Sequence, residues 1–408
     1  MYLRELSLDD FKSFAETNII ANAYQSVSYA MLKAEEGYDY EFIGLISDNK
    51  VIAAALILYK KIGNHYYGYS PRGFLVDYSN IFILETFTRE IKEHYKKKNF
   101  VFIKINPEIA IGKLNKKTGN FEYNENYNII SNLNKCGYKK LKSNTNFEAL
   151  LPRINAIVNL ENFDLDTISK NTRNKVKKAI RKGLVLEQAD ISKVNIFYEF
   201  IKDKINKNEF HYNDLYNVFN KQNDIDFFLV RVDYKYYLIN SQNYYEHELK
   251  KNNDFTEKII RKNTPTVINA KMNSDRALLS YKNDITEASK HLNTNEDVYV
   301  AGAMVIKFNN RITIYISGYD KDLKRYPANY FLYYAILYFY KDKYKYADLN
   351  GVTVDSRDNP YHGLNRFKNG FNPDIYEYIG EFDLVIDEHQ YTHLLKNGML
   401  ANEFNKNS

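Results

Sequence analysis

Residues 299–308 read YVAGAMVIKF, residues 309–310 are a pair of asparagines, and residues 311–317 read RITIYIS. A near-continuous apolar run that starts with small residues, a two-residue asparagine turn and an alternating β-branched return predict a β-hairpin whose first strand is buried on both faces. The first half of the chain carries a similar pattern. Residues 41–47 alternate apolar positions, Asp48-Asn49-Lys50 supplies the turn, and residues 51–59 (VIAAALILY) form a second buried strand, after which Asn64 separates an aromatic strand at 65–69. Each hairpin leads into a helix and then a strand. Ile83, Phe87, Ile91 and Tyr95 stand at helical spacing ahead of residues 100–105, and residues 328–345 precede 346–349.

This order, repeated, resembles the GNAT acyltransferase fold in tandem. The expected architecture is therefore α/β (α+β): two GNAT-like subdomains at 1–153 and 154–400, each a hairpin sheet followed by a crossover helix. The second is interrupted. From about residue 240 to 296 the sequence turns polar, and Leu278, Tyr281, Ile285, Ala288 and Leu292 step by three and four, the seam spacing of a coiled coil. Tyr245, Leu249, Thr256 and Ile259 suggest a preceding helix, with Pro265 at the reversal. An antiparallel helical hairpin is expected here, inserted between a strand at 226–232 and its partner resuming at 298. A packed helical insertion is the plainer alternative. As a projecting arm, the segment is expected to serve a macromolecular partner.

Composition narrows the possibilities without deciding among them. With 408 residues, 44% of them hydrophobic, the chain can fill two to three domain cores. Its single cysteine, Cys136, excludes an intramolecular disulfide and a cysteine-rich metal site, and the 8 histidines show no metal-ligand spacing. No nucleophile triad can be assembled from the motifs. Neither a metal nor a cofactor is expected. The formal charge of +6 suits a polyanionic partner or an ordinary basic surface equally well. The N-terminal MYLRELSLDDFKSF has no apolar run of signal-peptide length, and the longest aromatic and aliphatic run, 330–340, is about half of the roughly 20 residues needed to cross a bilayer. A reducing, cytoplasmic location is expected, with any membrane contact peripheral.

Four segments carry candidate chemistry. Residues 363–383, GLNRFKNGFNPDIYEYIGEFD, set Lys368 between Phe367 and Phe371 and two glycines, either a solvated lysine in a turn or an ammonium held for a developing oxyanion. Residues 171–183, NTRNKVKKAIRKG, contain six cations and no acid. At helical spacing Arg173, Lys177 and Arg181 share a face opposite Val176 and Ile180, so that face is expected to look to solvent, free for phosphates or simply hydrated. Residues 69–78, YSPRGFLVDY, place Arg72 and Asp77 in an ordered loop leaving a strand, where opposite charges are expected at the sheet rim. Upstream lie Tyr24-Gln25-Ser26, Tyr29 and Lys33.

Taken together these segments resemble the FemABX family, the aminoacyl-tRNA-dependent ligases that build peptidoglycan cross-bridges. The Phe-Lys-Asn-Gly-Phe core with its Ile-Gly-Glu-Phe-Asp tail and the basic helix after Leu151-Pro152-Arg153 carry the resemblance most specifically. It implies an aminoacyl-tRNA donor and an acceptor that is a UDP-linked muramyl pentapeptide or its lipid-linked form, lipid II. It implies further that Lys368 stabilises the oxyanion with Phe367 packed against it. Lys33, Tyr69, Arg72, Asp77, Tyr216 and Tyr315 would hold the acceptor, and Arg173, Lys177, Lys178, Arg181 and Lys182 the tRNA. Departures are also present: Phe74 replaces a proline, Tyr29 a tryptophan, and His211-Tyr212 stand where an arginine is usual, so a substrate contact is expected to be altered. Two other classes remain open. An acyl-CoA-dependent N-acyltransferase would need a Gly-rich pyrophosphate turn, which neither half shows. A non-catalytic RNA-binding protein would not need Lys368.

Overall fold

The computed structural model describes residues 1–397 except 145, 148–149, 293–296 and 354–358, so the last few positions of the 240–296 and 154–400 segments lie outside the described residues. The first half runs β1 (Tyr2–Glu5), α1 (Leu8–Thr17), α2 (Val27–Glu35), β2 (Asp39–Ser47), β3 (Lys50–Ile62), β4 (His65–Ser70), α3 (Ile81–Lys96), β5 (Phe100–Ile105), β6 (Ala110–Leu114), β7 (Phe121–Tyr123), α4 (Ile129–Lys135) and β8 (Tyr138–Lys140). The second runs β9 (Ile154–Asn159), α5 (Lys170–Arg181), β10 (Leu184–Gln188), α6 (Val194–Ile201), α7 (Glu209–Asn220), β11 (Ile225–Val232), α8 (Tyr234–Arg261), α9 (Pro265–Leu292), β12 (Val298–Phe308), β13 (Arg311–Tyr319), α10 (Ala328–Tyr340), β14 (Tyr346–Gly351), α11 (His362–Asn369), β15 (Asp374–Tyr378), β16 (Phe382–Val385) and α12 (Glu388–Lys396).

These strands build a seven-stranded sheet, ordered β1-β2-β3-β4-β5-β16-β8, and a nine-stranded sheet, ordered β10-β11-β12-β13-β14-β9-β15-β6-β7. In each, three antiparallel strands pass through a helix into a parallel neighbour, β4 to β5 and β13 to β14. This is the tandem GNAT-like order. The correspondence between the halves lies one strand away from the one suggested by the apolar pattern. The β2–β3 hairpin matches β11–β12, whose connection holds the helical insertion, while the YVAGAMVIKF hairpin matches β3–β4. Asp48 and Asn49 both have positive φ, which lets the β2–β3 turn follow the strand twist in two residues.

The halves also exchange strands across position 153/154. β16 inserts between β5 and β8 of the first sheet, and β6 and β7 extend the second sheet from β15. A shared apolar layer joins them further, with Phe11, Ala30, Leu32 and Leu56 packed in one cluster with Phe197, Leu215, Phe219 and Met304. Within the insertion, α8 and α9 run antiparallel. Tyr237 bonds Asp284, Tyr244 packs on Tyr281, and Asn252 bonds Ser274, so their seam is mostly polar. The hairpin starts at Tyr234, six residues before the expected boundary at 240, because the Asp233 side chain caps α8 directly after β11.

Candidate active site

The halves differ at the parallel strand pair, where a fold of this kind opens. β4 and β5 stay paired from Tyr66 opposite Phe100 to Ser70 opposite Ile105, and the following loop folds inward. There Phe74 and Leu75 are fully buried, and Leu75 exchanges two backbone hydrogen bonds with Ala54. The first cleft is thus filled by its own chain. β13 and β14 pair only over Arg311–Thr313 and Tyr346–Asp348, after which the strands part and Gly351 lies opposite Asn155 on β9.

A cavity of about 760 Å³ opens at the far end of β13, lined by Ser317, Gly318 and Tyr319, by Pro327, Asn329 and Tyr330 at the start of α10, and by Leu364 and Phe367 of α11. Its volume lies in the range that encloses a small-molecule moiety. Four lysines rim it: Lys175 and Lys178 from α5, Lys204 and Lys324 from loops. Lys175 donates to the Tyr330 hydroxyl at 2.8 Å and lies 4.0 Å above that ring. No side chain caps the N-terminus of α10, so its free N–H groups add partial positive charge on the same side. Asp320 also lines the cavity, so its four lysines leave a net positive rim.

Phe367 forms one wall, set edge-on to Tyr330 and Tyr333 at 5.0 and 4.9 Å. The next residue, Lys368, does not line the cavity; it is 5% exposed and donates to the carbonyl of Gly351 at 2.6 Å. Burial lowers its pKa from 10.5 to about 8, and the carboxylate of Asp348 opposes the drop. An ammonium has three N–H donors, of which this bond takes one. Asp348 is itself buried, which raises its pKa, and it accepts from Asn155 and from the backbone of Asn350. The solvated-turn alternative for Lys368 is therefore wrong. α11 packs on the core through this face, which carries the lysine inside.

A second constellation lies between the halves. Lys33 of α2 pairs with Glu36 at 2.8 Å, and Lys207 and His211 approach the same carboxylate at 3.5 and 3.7 Å. Burial would raise the Glu36 pKa, but Lys33, Lys207 and His211 together hold it below its usual value. Burial pushes that of His211 down. Tyr29 and Tyr315 border this group, and Tyr24 packs edge-on to Tyr29 on the side toward Arg72; burial raises the pKa of all three. Tyr216 is half-buried on α7. Tyr69 is buried at the end of β4, donating to Asn106 at 3.3 Å.

Arg72 and Asp77 do not meet. Arg72 is 3% exposed, donates to the carbonyl of Pro152 at 2.7 Å, packs on the Tyr378 ring and lies 3.9 Å from Glu108, which also accepts from Arg311 and Asn22. Asp77 is exposed and accepts from Ser79 and Asn80, closing the turn before α3. The expected rim pair is replaced by a buried network because Glu108, absent from the local motif, comes from the loop after β5.

The basic helix also departs from the expected solvent-directed face. Arg173 pairs with Asp166 at 2.9 Å and donates to two carbonyls of the preceding loop. Arg181 and Lys182 turn toward the helical insertion and share Asp284 at 3.1 and 2.7 Å; Lys182 is buried and also bonds Tyr237. Of the five cations expected to contact tRNA, only Lys177 and Lys178 are exposed.

The sequence matches the FemAB family over residues 6–396. The chain belongs to the FemAB family. It is a transferase. Among curated relatives, the lipid II:glycine glycyltransferase of Staphylococcus epidermidis RP62A is 23% identical, covering 94% of this chain and 92% of that protein. The enzyme of the same description from Staphylococcus aureus MRSA252 is 24% identical, covering 93% and 91%. Among solved structures, the crystal structure of FemX superposes with a TM-score of 0.77 at 19% identity, covering 97% of this chain and all of the other. The L-PGS structure from Bacillus licheniformis superposes at 0.50, with 13% identity.

In this FemAB-family transferase, sequence motifs led to Phe367 and Lys368 but missed much of the cavity rim. Lys175 lay unremarked within the basic run, and Lys204 and Lys324 sit in loops with no motif around them. Lys207, four residues before His211, was missed in the same way, although it puts a cation near the position where the family's arginine is absent. Only the fold reveals that Lys175, Lys204 and Lys324 converge on the cavity and that Lys207 joins Lys33 at Glu36.

Proposed function

We propose that this chain transfers an amino acid from an aminoacyl-tRNA to the stem-peptide amine of a peptidoglycan precursor, lipid II or its UDP-linked form. The observation that carries the reading is the lysine-rimmed cavity beyond the end of β13, walled by Phe367, whose neighbour in the chain, Lys368, is buried. The polyanionic 3′ end of a tRNA suits such a rim, and charged relatives of the acceptor suit the Lys33–Lys207–His211 group. The relatives named as lipid II:glycine glycyltransferases favour the same acceptor class.

The chemistry needs no nucleophile from the enzyme. The neutral acceptor amine attacks the ester carbonyl, a C–N bond forms, and the carbonyl oxygen becomes an oxyanion. Lys368 offers that oxygen a fixed ammonium in a site with little water, where such a donor is worth most. The C–O bond to the tRNA ribose then breaks, and the amine proton leaves with the ribose hydroxyl. Both substrates are held rather than activated, so orientation supplies much of the rate. Tyr69, Arg72 and Asp77 are assigned to shaping the acceptor side, Arg72 by bracing the loop through Pro152 and Glu108.

The test is purified protein incubated in parallel with charged tRNA or acyl-CoA and with UDP-linked muramyl pentapeptide or lipid II, products read by mass. An added aminoacyl residue only with charged tRNA supports the reading. Acylation from acyl-CoA, or no product with either acceptor, overturns it.

A further inference from the structure

The outer end of the helical insertion has no core of its own. Buried residues of the hairpin stop at Asn252 on α8 and Ser274 on α9, so none of the 253–273 segment is buried. Yet that segment includes Ile259, Ile260, Val267, Ile268 and Met272. Ile260 is 80% exposed, Met272 48% and Ile268 38%. Residues 258–272 also hold Lys258, Arg261, Lys262 and Lys271 with no acidic residue. Arg261 and Lys271 lean back on Glu257 and Asp275 at 3.6 and 2.7 Å, whereas Lys258, which lies 5.7 Å over the Phe255 ring, and Lys262 join no ion pair among the described residues.

Isoleucines kept in water beside lysines that no carboxylate neutralises among the described residues match one kind of surface. RNA phosphates would engage the lysines but leave the isoleucines hydrated, whereas the interface of an anionic bilayer takes both, apolar groups below the headgroups and cations among them. Each helix is 28 residues, so the end stands about 40 Å from the sheet at 1.5 Å per residue. Its base is held rigidly by Lys182, Arg181 and Tyr237 on Asp284. A stiff strut with a basic, apolar end reaches a surface while leaving the cavity open.

We propose that the end of the α8–α9 hairpin docks the enzyme on an anionic lipid surface through Ile260, Ile268 and Met272 with Lys258 and Lys262. The inference extends the proposed function by locating contact with the surface that carries a lipid-linked acceptor. Its test reads binding rather than transfer, so the two can fail separately.

The full chain is sedimented with vesicles of phosphatidylglycerol and phosphatidylcholine, or of phosphatidylcholine alone, beside Ile260→Ser/Ile268→Ser/Met272→Ser and Lys258→Gln/Lys262→Gln variants. All five side chains are at the hairpin end, so folding by circular dichroism should be unchanged. The expected result is binding to the anionic vesicles only, weakened about 25-fold by the lysine pair at about fivefold per cation, and at least tenfold by the serines. Transfer to the soluble UDP-linked acceptor should stay at the wild-type rate in both. Wild-type protein that ignores anionic vesicles, or variants that bind them undiminished, would overturn the inference. So would variants that keep vesicle binding but lose charged-tRNA binding, since the end would then read RNA.

Discussion

Lys368→Met separates the catalytic from the structural role of the buried lysine, because the two make opposite demands. Lowering its pKa from 10.5 to about 8 corresponds, at 1.36 kcal/mol per pH unit, to about 3 kcal/mol spent at neutral pH in keeping the amine charged inside. Methionine removes that cost with nearly the same shape. It also removes the hydrogen bond to Gly351, and a buried carbonyl left without its donor costs about 1–3 kcal/mol. The terms nearly cancel, so the unfolding free energy by urea denaturation should change by less than about 2 kcal/mol. Turnover should fall by about two to three orders of magnitude, the usual loss for one oxyanion donor. The charge also predicts a pH limb. Lys368 is fully protonated only well below pH 8 and loses its proton as pH rises through about 8, so wild-type turnover should decline through that value and not near 10.5. The stability sign is the reverse: between about 8 and 10.5 the unfolded chain binds the extra proton, so folding should strengthen with pH there. Near-normal turnover in the methionine variant would remove Lys368 from the chemistry. A loss of more than about 4 kcal/mol would make it a core strut.

Asp348→Asn removes the charge that opposes the lowered Lys368 pKa, so the alkaline limb of turnover should move to lower pH; an unmoved limb would uncouple the pair. Lys175→Gln/Lys178→Gln should weaken use of charged tRNA and lower the salt slope by about one per lysine, while Arg181→Gln, whose partner is Asp284, should cost stability and leave that slope alone. His211, its pKa lowered by burial, should charge only below its ordinary 6.5, so acceptor KM should fall as pH drops beneath that value in wild type and not in His211→Gln. Removing 241–293 would strand buried Lys182 without Asp284 and should lower the melting temperature markedly, whereas removing only 253–273 with a short turn should leave it within a few degrees.

What could be read from the chain alone was whatever depends on neighbours a few residues away. Period-two alternation and the Asp48-Asn49 and Asn309-Asn310 turns mark hairpins because strand geometry and turn backbone are local. The same holds for the α9 pattern from Leu278 to Leu292. The Phe367-Lys368 motif was legible too, though not its burial, since the exposure of a helix face depends on what packs against it. The tertiary structure decided the rest. β16 takes its place beside β5, with Asp383 opposite Lys104, through pairing across most of the chain. Lys182 finds Asp284 across 102 positions, and Arg72 finds Glu108 instead of the nearer Asp77. Charge partners are chosen by which carboxylate the fold brings within about 4 Å in a place where water cannot compete, and sequence spacing does not encode that distance. The two halves diverge for the same reason: Phe74 and Leu75 fold back to fill the space beside β4 and β5, whereas β13 pairs with β14 over three residues and then parts from it.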